Sequence, residues 1–158
     1  MASSTEVKTK TREGVFTMKT NQPTKVTVQA VVQAPVEKAW RYWTDPEHIT
    51  KWNQASETWH APKAENDLRV GGRFLTRMEA KDGSMGFDFF GIYDVVKLHE
   101  QISYTMEDGR KVEITFMDQG NETKVIETFD AESTHSIEMQ QAGWQAILDN
   151  FKKYTEES

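Results

Sequence analysis

Cysteine is absent from the 158 residues. The chain therefore carries no disulfide, no thiolate nucleophile and no zinc–thiolate centre. A reducing, cytoplasmic setting is expected. Long hydrophobic runs are missing as well: no apolar stretch approaches the ~20 residues of a membrane span, and the opening MASSTEVKTKTREG lacks the apolar core of a signal peptide. There is no basic excess. Nineteen Lys and Arg against 25 Asp and Glu leave a formal charge of -6, and the basic residues are scattered. A nucleic-acid footprint wants a basic patch or stripe, so no nucleic-acid partner is expected. Histidine is sparse. His48, His60, His99 and His135 include no pair at three- or four-residue spacing, and there is no HExxH run. Neither a metal nor any other cofactor is expected. His48 and His99 read as surface or turn residues, whereas His60 and His135 can reach a cavity mouth.

What is present reads as one domain. At this length a chain buries roughly 68–70% of its extended surface, enough for a core without crosslinks. Residues 1–23 form a loose N-terminal tail or edge segment, with a strand around Gly14–Met18 as the alternative, and residues 24–156 form the single domain. Val26, Val28, Ala30 and Val32 share one parity, as a strand with one buried face requires. Pro35 suits the first helical position. Val36, Ala39, Trp40 and Trp43 then make one helical stripe. In TDPEHITKW, Thr44 or Asp45 caps a second short helix with Pro46 just inside it. Trp43 and Trp52 close the two helices and turn inward.

After residue 55 the texture becomes β-rich. Phe74, Thr76, Met78 and Ala80 alternate, as do Ile102, Tyr104 and Met106, and Val112, Ile114 and Phe116. KAEND, KDGS, EDG and QGNE read as turns between about five antiparallel strands. GFDFFGIYDVV is apolar on both faces, and of its two parities the odd-numbered set, Phe87, Phe89 and Tyr93, is assigned to the interior. Near the end, Ile137, Gln141, Trp144, Leu148, Phe151 and Tyr154 line one stripe of a long helix, capped by Ser133, Thr134 or Ser136. The layout is α+β.

APVEKAWRYWTDPEHITKW, DLRVGGRF, GIYDVVKLHEQISYT and AGWQAILDNFKKY, in that order, span roughly residues 24–155. This ordered set resembles the Activator of Hsp90 ATPase homologue-like (AHSA1-like) family of the START-like, Bet v 1-like (SRPBCC) superfamily. The resemblance implies a helix-grip fold: a curved antiparallel sheet wrapped around a long C-terminal helix, with a cavity between them. Trp40, Trp52, Gly71, Gly72, Phe74, Gly91, Gly143 and Trp144 occupy family positions and read as fold determinants. Gly143 lies mid-helix, where glycine costs about 0.5–1 kcal/mol relative to alanine, so a close neighbour is expected against its backbone.

The resemblance further implies a small apolar or aromatic ligand, such as a lipid, sterol, flavonoid or polyketide-like molecule. Two other readings stand beside it: a stress-related, protein-interaction role through the outer face, and a cyclase- or hydratase-like enzyme using the same cavity. Only residues 1–23 precede the first strand, too few for the additional domain on which Hsp90 activation depends in the family's eukaryotic members. An Hsp90 partner is therefore disfavoured. The chain is expected to be a monomer or homodimer. The candidate ligand contacts are Trp43, Trp52, Trp59, Met78, Phe87, Phe89, Tyr93, Tyr104, Phe116 and Trp144. Tyr93 and Tyr104 add a hydroxyl to an apolar body. No catalytic residue is assigned, since no triad order or paired carboxylates appear; the face of Glu127 is left open.

Overall fold

The fold is built on alternation. Val26, Val28 and Val32 are buried and their neighbours are not, so Lys25–Val32 (β3) lays one face on the core. The computed structural model describes residues 6–11, 14–19 and 24–158. Glu6–Thr11 (β1) and Gly14–Lys19 (β2) pair antiparallel as a two-stranded sheet of their own. The rest of the 1–23 segment lies outside the described residues.

After β3 come helices α1 (Val36–Thr44) and α2 (Pro46–Trp52). Pro35 is the residue before α1, one position earlier than its rigid φ suggests. Asp45 caps α2: its Oδ1 accepts from the Glu47 N–H at 3.0 Å, with Pro46 in the first helical turn. Then follow β4 (Trp59–Asn66), β5 (Arg73–Ala80), β6 (Gly86–Lys97), β7 (Gln101–Met106), β8 (Lys111–Asp118), β9 (Thr123–Asp130) and the 21-residue α3 (Ile137–Glu157). The second sheet has seven strands in the order β3-β9-β8-β7-β6-β5-β4, every pair antiparallel. It curls around α3 in the helix-grip manner.

The meander has six strands, one more than the turn signals imply. Lys63–Asn66, part of the supposed KAEND turn, pairs with Phe74–Arg77 once a bulge between His60 and Lys63 has reset the register. In β6 a second bulge, between Tyr93 and Val95, inserts Asp94. It switches the inward parity from odd (Phe89, Gly91, Tyr93) to even (Val96), which accounts for the strand's two apolar faces. The outer residue Phe90 instead carries the Arg73 guanidinium 4.6 Å above its ring.

Leu148 and Phe151 of α3 are fully buried. Burial of side chains this size contributes about 1.5–3 kcal/mol each. Phe151 is wedged against Trp43 and Trp52, with ring centroids 4.8 and 5.1 Å away. The first turn of α3 departs from the expected stripe. Ile137 and Gln141 are exposed and Gln140 is buried, because the Gln140 amide donates to the carbonyls of Glu132 and His135 and accepts from the Glu132 N–H. Ser136 is the cap, its Oγ accepting from Met139 N–H at 3.1 Å.

Two glycines differ in what holds them. A Cβ at Gly91 would sit 2.8 Å from the Thr105 carbonyl oxygen and 2.9 Å from the Phe74 ring. At Gly143 it would meet nothing within 4 Å, so no close neighbour explains that residue, contrary to the sequence reading. Gly91→Ala is therefore expected to lower the urea midpoint clearly. Gly143→Ala is expected to raise stability by about 0.5–1 kcal/mol. Equal effects of the two substitutions would contradict this packing.

Candidate functional site

The sheet, α2 and α3 leave a hollow of about 230 Å³ between them. Its roof comes from the helices: Trp43 at the end of α1, Ile49 and Trp52 of α2, Asn53 just beyond, and Trp144 with Ile147 on α3. Phe74, Thr76 and Met78 on β5 and Phe87, Phe89 and Tyr93 on β6 form one wall. Ile102 and Tyr104 on β7 and Glu127 on β9 complete it. Strand alternation explains the selection, since inward residues at every second position point at the same space. Phe87 is 50% exposed and so marks where the hollow meets solvent.

Eight of the ten candidate contacts border this hollow: Trp43, Trp52, Met78 and Phe87, together with Phe89, Tyr93, Tyr104 and Trp144. The other two stand outside its lining. Trp59 rests its ring against Phe87, centroids 5.9 Å apart, on the edge strand. Phe116 is packed into the core between Trp40 and Trp43, at 5.2 and 6.0 Å. The histidines stay away from the lining. His60 approaches Glu79 at 3.8 Å and His135 bonds Glu132 at 2.7 Å. His99 is in a turn with φ 63°. His48 is more than a surface residue: it stacks on Tyr42 at 3.8 Å, and its Nδ1 bonds the Tyr154 hydroxyl at 2.7 Å. Among the described residues no group of three or more His, Cys, Asp or Glu is placed to hold a metal ion, and no helix is long and apolar enough to cross a membrane.

Few polar groups enter the hollow, and they differ in how they are satisfied. Tyr93 donates its hydroxyl to Asn66 Oδ1 at 2.5 Å. Burial pushes its ionisation upward, partly offset by that bond. Tyr104 is pushed well above the usual range, chiefly by burial and then by the nearby Glu127 and Tyr93. Glu127, whose face the sequence leaves open, points inward, in the same parity as Val125 and Phe129 on either side. The residue is 5% exposed, and burial alone raises its carboxyl pKa from 4.5 to about 8. No cation or hydrogen bond among the described residues counters that rise. The acid is thus protonated at neutral pH, an arrangement found where carboxyls take functional roles.

The sequence profile described as Activator of Hsp90 ATPase homolog 1-like protein matches residues 33–156. Among solved structures, the AHSA1-like protein from Aeromonas hydrophila is 47% identical with a TM-score of 0.80, over 84% of this chain and 92% of that one. A protein from Cytophaga hutchinsonii is 56% identical with a TM-score of 0.74, over 84% and 92%. One from Chromobacterium violaceum is 25% identical with a TM-score of 0.76, over 85% and 99%. No curated protein matches the chain.

Between about pH 4.5 and 8 the folded chain holds a proton on Glu127 that the unfolded chain has lost. Stability therefore falls as pH rises through that window and levels off above it. At roughly 1.4 kcal/mol per pH unit, the loss is on the order of 5 kcal/mol. Glu127→Gln is expected to remove this slope and to be the more stable protein at pH 8. Urea midpoints at pH 5, 6.5 and 8 check it; parallel pH profiles for the two proteins would refute it.

Proposed function

The chain belongs to the Activator of Hsp90 ATPase homolog 1-like family, and on that premise we propose that it binds a small hydrophobic or aromatic molecule in the hollow under α3. The observation that carries this reading is a hollow of about 230 Å³ whose lining includes Trp43, Trp52, Phe74, Phe89 and Trp144. An apolar cavity of about 150 Å³ already accepts benzene. Drug-sized ligands occupy roughly 300–1,000 Å³. The volume here favours the compact end of the range, one substituted ring or two fused rings, over a sterol or a long acyl chain. Indole and phenyl faces on both sides suit a flat guest through stacked or edge contacts.

A second reading, a cyclase- or hydratase-like activity, is supported by one observation, the buried Glu127 carboxyl at the wall. An acid with a pKa near 8 is poised for proton transfer at neutral pH. No second proton-transfer group of comparable pKa borders the hollow among the described residues, so binding remains the leading proposal.

The test is a two-dimensional NMR titration with a panel of one- and two-ring aromatics beside fatty acids and sterols. The indole N–H signals of Trp43, Trp52 and Trp144 are expected to shift. Those of Trp40 and Trp59, which are outside the lining, are expected to stay. Ile147→Trp, which fills the hollow from α3, should abolish the shifts in a protein that still folds. A panel that moves none of the three lining indoles would overturn the proposal.

A further inference from the structure

The polar groups bordering the hollow narrow what its occupant can be. The geometry points to an uncharged one- or two-ring aromatic ligand whose carbonyl oxygen accepts hydrogen bonds from the Glu127 carboxyl and the Tyr104 hydroxyl. This deepens the cavity-binding reading and rests on it.

The strand registers put Glu127 in a row of otherwise apolar inward side chains. Val28 of β3 is its partner on one side and Ile114 of β8 on the other, followed by Ile102 of β7 and Val96 of β6. The neighbouring row runs Val26, Phe129, Val112, Tyr104 and Tyr93. Glu127 and Tyr104 thus stand two strands and one row apart on the same concave face, and both border the hollow. Tyr93, in Tyr104's row, is already engaged by Asn66. Glu127 and Tyr104 have no hydrogen-bond partner among the described residues. A carbonyl oxygen placed between the two could accept from both the Glu127 carboxyl and the Tyr104 hydroxyl.

The charge state follows from the surroundings. Above the row, α3 contributes Trp144 and Ile147, and α2 contributes Ile49 and Trp52. Among the described residues, the only other titratable groups bordering the hollow are Tyr93 and Tyr104. Arg110 bears on Tyr104 from the β7–β8 turn, but its Nε is bonded to Asp108 at 2.7 Å. With no cation among the described residues facing it and a pKa of about 8, Glu127 offers a proton at neutral pH. An ammonium ligand would first have to ionise this acid and shed its own water.

Calorimetric titration of the full chain with three naphthalenes of like shape tests the assignment. They are 2-acetylnaphthalene, 2-isopropylnaphthalene and 2-(1-aminoethyl)naphthalene. The ketone is expected to bind about tenfold more tightly than the hydrocarbon at pH 6.5. Its affinity should fall about tenfold for each pH unit above about 8, as the donor proton is lost. Glu127→Gln keeps an N–H donor of the same size, so ketone affinity should survive within about threefold while the pH dependence disappears. Glu127→Leu should abolish the preference for the ketone. Tightest binding by the amine, strengthening from pH 6 to 8 and lost in Glu127→Gln, would overturn the assignment in favour of a cationic ligand. Ketone and hydrocarbon binding equally in every variant would sink this inference and leave the cavity reading standing. If none of the three binds wild type, both fall.

Discussion

Trp144 lies flat on Phe129, ring centroids 4.0 Å apart and planes within 10°. That stack fixes α3 over β9 and, through the adjacent pairing, over β3, against which the helix makes its main sheet contact. A helix held to one end of a curved sheet cannot also fill the other end. α2 packs against β4 from the far side, and the span between them is floored by the rings of Phe74, Phe89 and Tyr93, the latter two packing with centroids 5.5 Å from that of Phe74. The hollow is thus a consequence of where the terminal helix is pinned. Its dimensions follow from the wedge of Phe151 against Trp43 and Trp52, which sets the height of the roof.

Much of this was readable from sequence because it depends on period and caps. The valines of β3, the stripe of α1, the Asp45–Pro46 start of α2 and the alternation of β5, β7 and β8 are local signals. What escaped depended on partners distant in sequence. Lys63–Asn66 carries polar, turn-like residues and becomes a strand only because β5 offers it an edge. The supposed stripe position Gln141 gives way to Gln140, whose amide finds carbonyls at the entrance to α3. Phe116 has the composition of a cavity ring, yet α1 sits on it, and only the three-dimensional arrangement of Trp40 and Trp43 separates packed aromatics from lining ones. Glu127 was legible in principle, since its parity is that of Val125 and Phe129. A carboxylate at an inward position contradicts the usual cost of burying charge, and the protonated state removes the contradiction.

Among the described residues bordering the hollow, Glu127 is the one acid in a largely apolar lining. An all-apolar cavity of this size discriminates guests by shape, with only a modest penalty for a poor fit. One buried donor changes the problem, because a guest lacking an acceptor leaves the donor as unsatisfied as an empty cavity does. The same group lowers the stability of the folded chain above its unfolded pKa.

The contact between His48, Tyr42 and Tyr154 bears on how such an interior breathes. His48 stacks on Tyr42 and bonds Tyr154, and the indole N–H of Trp52 donates to the Tyr42 carbonyl at 2.9 Å. These links rivet α1, α2 and the last turns of α3 into one slab. A ceiling riveted in this way does not hinge open along its own seam. On the opposite flank Trp59 and half-exposed Phe87 touch through a single ring contact, so a swing of one phenyl group there would widen the opening of the hollow while leaving the ceiling in place.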